Sequence, residues 1–126
     1  MVWKFRKQPT IALSTCEAEY VSLAAATQES LYVMQLLNNM DNKTYKCTKI
    51  LEDNHGIIAF SKNPVNRQRC KHIDIKHNFL REVLISGKID IVYSQSEHVI
   101  ADALTKHATK AKLDRFKPFL FGLPCN

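Results

Sequence analysis

Hydrophobic and polar positions recur with two different periods along this chain, and each change of period marks an element. From Ser14 to about Leu37 the residues are strong helix formers with no Gly or Pro, which predicts a long helix ending near Asn38 and Asn39. At 3.6 residues per turn Glu17 falls with Gln28 and Gln35 on the polar side, and Glu19 with Leu23, Ala26 and Leu37 at the edge of the apolar stripe. Cys47 to Glu52 reads as a strand. Asp53-Asn54-His55-Gly56 then turns into a short helix from Ile57 to about Lys62, stopped by Asn63-Pro64. A basic loop, Val65 to Lys71, leads into an amphipathic helix from His72 to Leu84, with Ile73, Ile75, Phe79, Leu80, Val83 and Leu84 inward and Gly87 as its stop. Lys88 to Ser94 alternates as a strand, with Ile89, Ile91 and Tyr93 on one face. A short helix from His98 to about Lys106 and a basic helix from Thr109 towards Phe119 complete that half. Upstream, residues 2–8 alternate large and basic side chains as a strand end or hairpin arm. Gln8-Pro9 turns, and Thr10 to Leu13 is a short strand. This order predicts an α/β layer fold.

Bulk properties narrow the class. The 126 residues are one domain's worth of chain, enough for a single core. No run approaches the ~20 apolar residues of a membrane span, and Met1 to Lys7 lacks the apolar stretch of a signal peptide, so an intracellular protein (cytoplasm or nucleus) is expected. Cys16, Cys47, Cys70 and Cys125 show no CxxC spacing; reduced thiols fit better than zinc. The net charge of +6 is concentrated in two places, between Lys43 and Lys76 and between Lys106 and Lys117. That distribution suits a polyanion such as nucleic acid, or simply a solvated basic face.

The acidic residues carry the candidate chemistry. Ser14 or Thr15 can cap the long helix, and Glu17 follows Ser14 at capping-box spacing. Glu19 fits helix-dipole stabilisation, but a carboxylate facing the packed side is also what a metal ion or a basic partner would require. Asp53, between strand and helix, fits an N-cap or Asx-turn. Asp102 follows the last strand within a short helix. As a set, carboxylates at a helix N-terminus, a strand end and a late helix can gather over one sheet edge. Their mutual repulsion is relieved by hard cations such as Mg²⁺. Two such ions can activate a water and stabilise the leaving oxygen of a phosphodiester. His72 and His77, five apart, lie on different helix faces and fit packing better than a metal site. Arg67, Arg69 and Lys71 suit phosphate contacts or a solvated loop. Trp3 suits burial or base stacking.

The run from Lys7 through Ser14, Glu17 and Glu19 to Tyr20 closely resembles the ribonuclease H domain of copia-type (Ty1/copia) retrotransposon Pol polyproteins. So do Asp53-Asn54 with the apolar helix ending in Lys62-Asn63-Pro64, Lys71-His72-Ile73-Asp74-Ile75, Phe79-Leu80-Arg81-Glu82, and Ala101 to Lys106. These matches occur in family order over nearly the whole chain. The resemblance implies a ribonuclease H-like fold, a mixed sheet flanked by helices, and hydrolysis of the RNA strand of an RNA–DNA hybrid. It further implies two Mg²⁺ or Mn²⁺ ions and, in the full polyprotein, a neighbouring reverse transcriptase region. Glu19, Asp53 and Asp102 match family metal ligands; Glu17 matches a position that is not one.

The family's first metal-binding aspartate lies on a first strand upstream of Trp3-Lys4, and no residue before Glu17 is acidic. The resemblance therefore implies a single domain over 1–126 that lacks its first strand, with a basic C-terminal extension over 107–126. Two smaller departures are Glu52, where relatives carry a small or apolar residue, and His107, where they carry Pro. The expectation is a ribonuclease H of that lineage, inactive or crippled as this chain stands. The alternatives are a non-catalytic nucleic-acid-binding module, with Arg67, Arg69 and Lys71 on the phosphates, or an inert retrotransposon remnant.

Overall fold

The computed structural model describes residues 7–8, 11–12, 14–40, 44–62, 74–105 and 107–122. The chain divides into two compact units, Ala12–Tyr93 and Met1–Ile11 with Ser94–Asn126.

The first unit opens with α1 (Thr15–Met40). Ser14 caps it as the sequence predicts: its Oγ accepts from the Glu17 N–H at 3.1 Å. The buried face is Tyr20, Leu23, Ala24 and Thr27, continued by the partly buried Leu31. That is the i, i+3, i+4, i+7, i+11 spacing of one helical stripe, and Ala26 and Leu37 lie off it, both exposed. Glu19, next to Tyr20, is left half-buried at the stripe's edge. Thr27 is fully buried without penalty because its hydroxyl donates to the Leu23 carbonyl at 2.9 Å. The helix runs past Asn38, whose side chain clamps the returning loop. The Asn38 amide donates to the Tyr45 carbonyl, and the Tyr45 N–H donates to Asn38 Oδ1. Asn38 is a tie between helix and loop, not a stop.

Two short strands follow, β1 (Thr48–Glu52) and β2 (Ile89–Tyr93), joined through α2 (His55–Lys62) and α3 (Asp74–Ile85). They pair in parallel, Thr48 opposite Ile89 and Glu52 opposite Tyr93. A parallel pair needs a long crossover, and the two helices supply it. The period of two places Thr48, Ile50, Ile89 and Ile91 on the inner face, while Lys49, Leu51 and Asp90 are exposed on the other. The core gathers Tyr20, Leu23 and Ala24 of α1, Ile57 of α2, Leu80 and Val83 of α3, and Ile89 and Ile91 of β2. Gly87 ends α3 in the left-handed region, φ 68°, where a side chain is disfavoured.

Three sequence expectations change here. Ile75 is 81 % exposed, not inward, since five residues separate it from Leu80, about 140° around the helix. Thr10–Leu13 is no strand at the described positions Ile11 and Ala12; Ile11 is exposed, and no strand lies beside it among the described residues. His98 does not open a helix. The segment makes tight turns closed by His98 N–H to Gln95 and Val99 N–H to Ser96, and α-helix is confined to α4 (Asp102–Thr105). The arm over residues 2–8 and the basic loop lie mainly outside the described residues, including Arg67, Arg69, Lys71 and His72. His77 does serve in packing, stacked at 6.0 Å on Tyr20 and edge-on to Phe60.

In the other unit α4 precedes α5 (Lys110–Phe121), which Thr109 caps through the Lys112 N–H and Gly122 ends at φ 64°. Its basic residues are partly neutralised. Lys112 reaches Asp102 at 3.8 Å, Lys117 pairs with Asp114, and Arg115 lies over the Phe116 ring.

Candidate active site

The carboxyl ends of β1 and β2 form the polar end of the first unit. Ligand sites in parallel α/β sheets characteristically lie there, because the crossover turns leave a crevice beyond the strands. β1 delivers Glu52 on its inward-facing register, the turn into α2 supplies Asp53 and Asn54, and the second turn of α1 supplies Glu19. Burial pushes the Glu52 carboxyl above its ordinary value. Like charge on Asp53 and Glu19 adds to the rise, against the stabilising Asn54 N–H that donates to Glu52 Oε1 at 3.2 Å. Glu52 thus sits close enough to Glu19 and Asp53 to feel the charge of both.

Asn54 organises this end. Its Oδ1 accepts from the Gly56 N–H at 2.9 Å and the Ile57 N–H at 3.3 Å, capping α2, while its amide donates to Glu19 Oε2 at 2.7 Å. The capping role expected for Asp53 is therefore filled by its neighbour Asn54. Sequence reasoning missed Asn54; the signal was present as an Asn two residues before a Gly at a strand-to-helix turn. It also missed the aromatic pair at the same end, His55 stacked on Tyr93 with centroids 3.8 Å apart and planes within 15°. Behind the site Tyr20 is buried, its phenol pushed up to about 12 by burial, with no hydrogen-bond partner for the hydroxyl among the described residues.

Of the predicted ligands, the structure brings Glu19 and Asp53 to one end of one unit. Asp102 belongs to the other unit, where its carboxylate is largely buried and paired with Lys112. The carboxylate oxygens of Glu19, Glu52 and Asp53 are the hard donors at the sheet end, the kind of ligand a divalent cation such as Mg²⁺ takes; the Asn54 amide oxygen is already engaged in capping α2. Among the described residues no three His, Cys, Asp or Glu side chains are grouped closely enough to hold one ion. Nor is any described helix long and apolar enough to cross a membrane.

The relatives of this chain are retrovirus-related Pol polyproteins of transposons, matched along most of its length. It is 32 % identical over 114 residues to the retrovirus-related Pol polyprotein from transposon RE1 of Arabidopsis thaliana, and 31 % over 114 residues to that from transposon RE2 of the same species. To that from transposon TNT 1-94 of Nicotiana tabacum it is 29 % identical over 126 residues. These alignments cover 90 % of this chain for the first two and 98 % for the third, but only 8–9 % of the polyproteins. The chain thus spans under a tenth of the length of the curated relatives it matches. No protein-family model matches it, and no solved structure does.

Proposed function

We propose that this chain is the ribonuclease H segment of a copia-type Pol polyprotein, of a lineage that hydrolyses the RNA strand of an RNA–DNA hybrid. The observation that carries the reading is the meeting of Glu19 and the Asp53 turn at the carboxyl end of β1, from two elements 35 residues apart in sequence. Similarity to Pol polyproteins supports it independently. Glu19 and Asp53 are the carboxylates that would hold Mg²⁺ or Mn²⁺; Asp102 joins them on sequence resemblance alone. Such ions, when bound, supply charge stabilisation to a phosphodiester transition state. The chain's own contribution is to tie Glu19 to the turn that carries Asp53, through the Asn54 amide, and, through Arg67, Arg69 and Lys71, to hold phosphates, with the RNA–DNA hybrid as partner.

A second reading, a module that binds nucleic acid without cutting it, gains support from the lack of a three-ligand group among the described residues and from the Asp102–Lys112 pair. One experiment separates the two. A labelled hybrid is incubated with the 126-residue chain, and with a longer chain carrying one further aspartate strand, in Mg²⁺ or Mn²⁺. The ribonuclease H reading expects RNA-strand cleavage by the longer chain, leaving a 5′-phosphate and a 3′-hydroxyl, and its loss in Asp53→Asn. For the 126-residue chain it expects hybrid binding with little or no turnover. Binding without cleavage by either chain favours the module. In both readings affinity falls with log salt, at a slope of about −0.9 per phosphate neutralised on B-form DNA.

A further inference from the structure

We propose that Asn54 is a positioning residue whose side-chain amide fixes the Glu19 carboxylate and thereby sets how tightly the sheet end takes up a divalent cation; the cation part rests on the metal-binding reading of Glu19. Three separate hydrogen-bonding groups of this one residue tie three parts of the site together. The backbone N–H holds Glu52, Oδ1 holds the first turn of α2, and the amide nitrogen holds Glu19 on α1. Only one orientation of the amide works. Reversing it would aim an oxygen at the Glu19 carboxylate and an NH₂ group at the Gly56 and Ile57 N–H donors, so the cap itself forces the donor towards Glu19. The short 2.7 Å contact has the length of a charge-assisted bond. Gly56 belongs to the same device: a β-carbon there would stand 3.1 Å from Asn54 Oδ1 and press on the residue that orients Glu19.

This role differs from capping, and chemistry separates the two. Serine caps helices about as well as asparagine but brings no amide. Asn54→Ser should therefore keep α2 and the melting temperature close to wild type while releasing Glu19. Residues that hold a ligand from behind typically change metal affinity ten- to a hundred-fold when replaced.

Two readouts test this on the full chain. The first needs no metal. The side-chain amide resonances of Asn54, identified by their loss in Asn54→Ser, should move to the position of solvent-exposed asparagines in Glu19→Ala. Unmoved resonances would overturn the proposal. The second is a titration with Mn²⁺ followed by the electron spin resonance of the free ion. Asn54→Ser should bind ten- to a hundred-fold more weakly than wild type at an unchanged fold, and Gly56→Ala should fall between them. Equal Mn²⁺ affinity in wild type and Asn54→Ser refutes the positioning role. A wild-type chain that takes up no Mn²⁺ counts against the proposed function, and the amide resonances then decide the Glu19 contact by themselves.

Discussion

The two ends of the β1–β2 pair are built on opposite terms. At the start Thr48 is paired with Ile89 and Ile50 with Ile91, and the isoleucines join the core that Leu23, Ile57, Leu80 and Val83 build. The inward side chains there are apolar apart from Thr48, whose hydroxyl donates to Met34 Sδ, and burial supplies the stability. At the finish Glu52 faces Tyr93, and Glu19 and Asp53 add like charge that packing alone would not select. One end joins the core; the other holds carboxylates near one another at a cost in stability. A polar end maintained against its own repulsion is what a site requires, and Asn54 spans the two regimes by capping a core helix while restraining a carboxylate.

The sharpest way to break the comparison is to damage the apolar end. Leu80 is fully buried, and Leu80→Ala should cost about 2–5 kcal/mol through lost burial and the cavity left behind. Urea unfolding measures it. Glu19→Gln, which keeps an acceptor for the Asn54 amide, should change stability by no more than about 0.5 kcal/mol. Equal losses at both ends would show that the polar end is structural.

What the sequence revealed follows the same division. Features written in local chemistry were legible: the Ser14 cap, the Gly87 stop, the alternation of Ile89 and Ile91, and the helix formers of α1. Glu19 is conspicuous as a carboxylate at the edge of the apolar stripe, whereas Asp53 reads locally as a cap and gains interest only as one of a set of acidic residues and through the family resemblance. What decides their geometry was hidden. The Asn54–Glu19 bond joins residues 35 apart, and no periodicity encodes it. Ile75 and Ile11 misled because an apolar residue records only a preference for burial, while neighbours decide whether burial is available. His55 and Tyr93 meet only because the parallel register brings the end of β2 alongside the turn after β1.

A smaller effect is expected at the boundary between the two ends. Tyr20→Phe removes a buried hydroxyl that has no partner among the described residues and leaves the ring contacts with Phe60 and His77 in place. It should be neutral or stabilising by up to about 1 kcal/mol. The phenol also carries a pH signature. Its pKa is raised from 10.0 to about 12, so the stability it contributes is fully present below pH 10 and is lost as pH rises through about 12. Tyr20→Phe should lack that alkaline loss. A destabilisation above about 1 kcal/mol would mean that the hydroxyl has a partner worth keeping.

The smallest effect is the most diagnostic of the polar end. Glu52 has a carboxyl raised above its ordinary value of 4.5, first by burial and then by the charges on Asp53 and Glu19. For an acid raised on folding, the stabilising contribution is fully present below the unfolded value and disappears as pH rises through the folded one. At neutral pH the ionised Glu52 therefore weighs against the fold. Glu52→Gln keeps an oxygen to accept from the Asn54 N–H while removing the charge. The variant should melt slightly above wild type at pH 7–8, and the difference should shrink as pH falls and vanish below the ordinary glutamate range. Melting curves of both proteins between pH 4 and 8 measure it. A divalent cation added at pH 7 should narrow the gap from the other side, since it relieves the same repulsion in wild type and has less to relieve in the variant. A gap that ignores both pH and cation would place the carboxylates of Glu19, Asp53 and Glu52 too far apart to act as one group, and the contrast between the two ends of the sheet would lose its electrostatic basis.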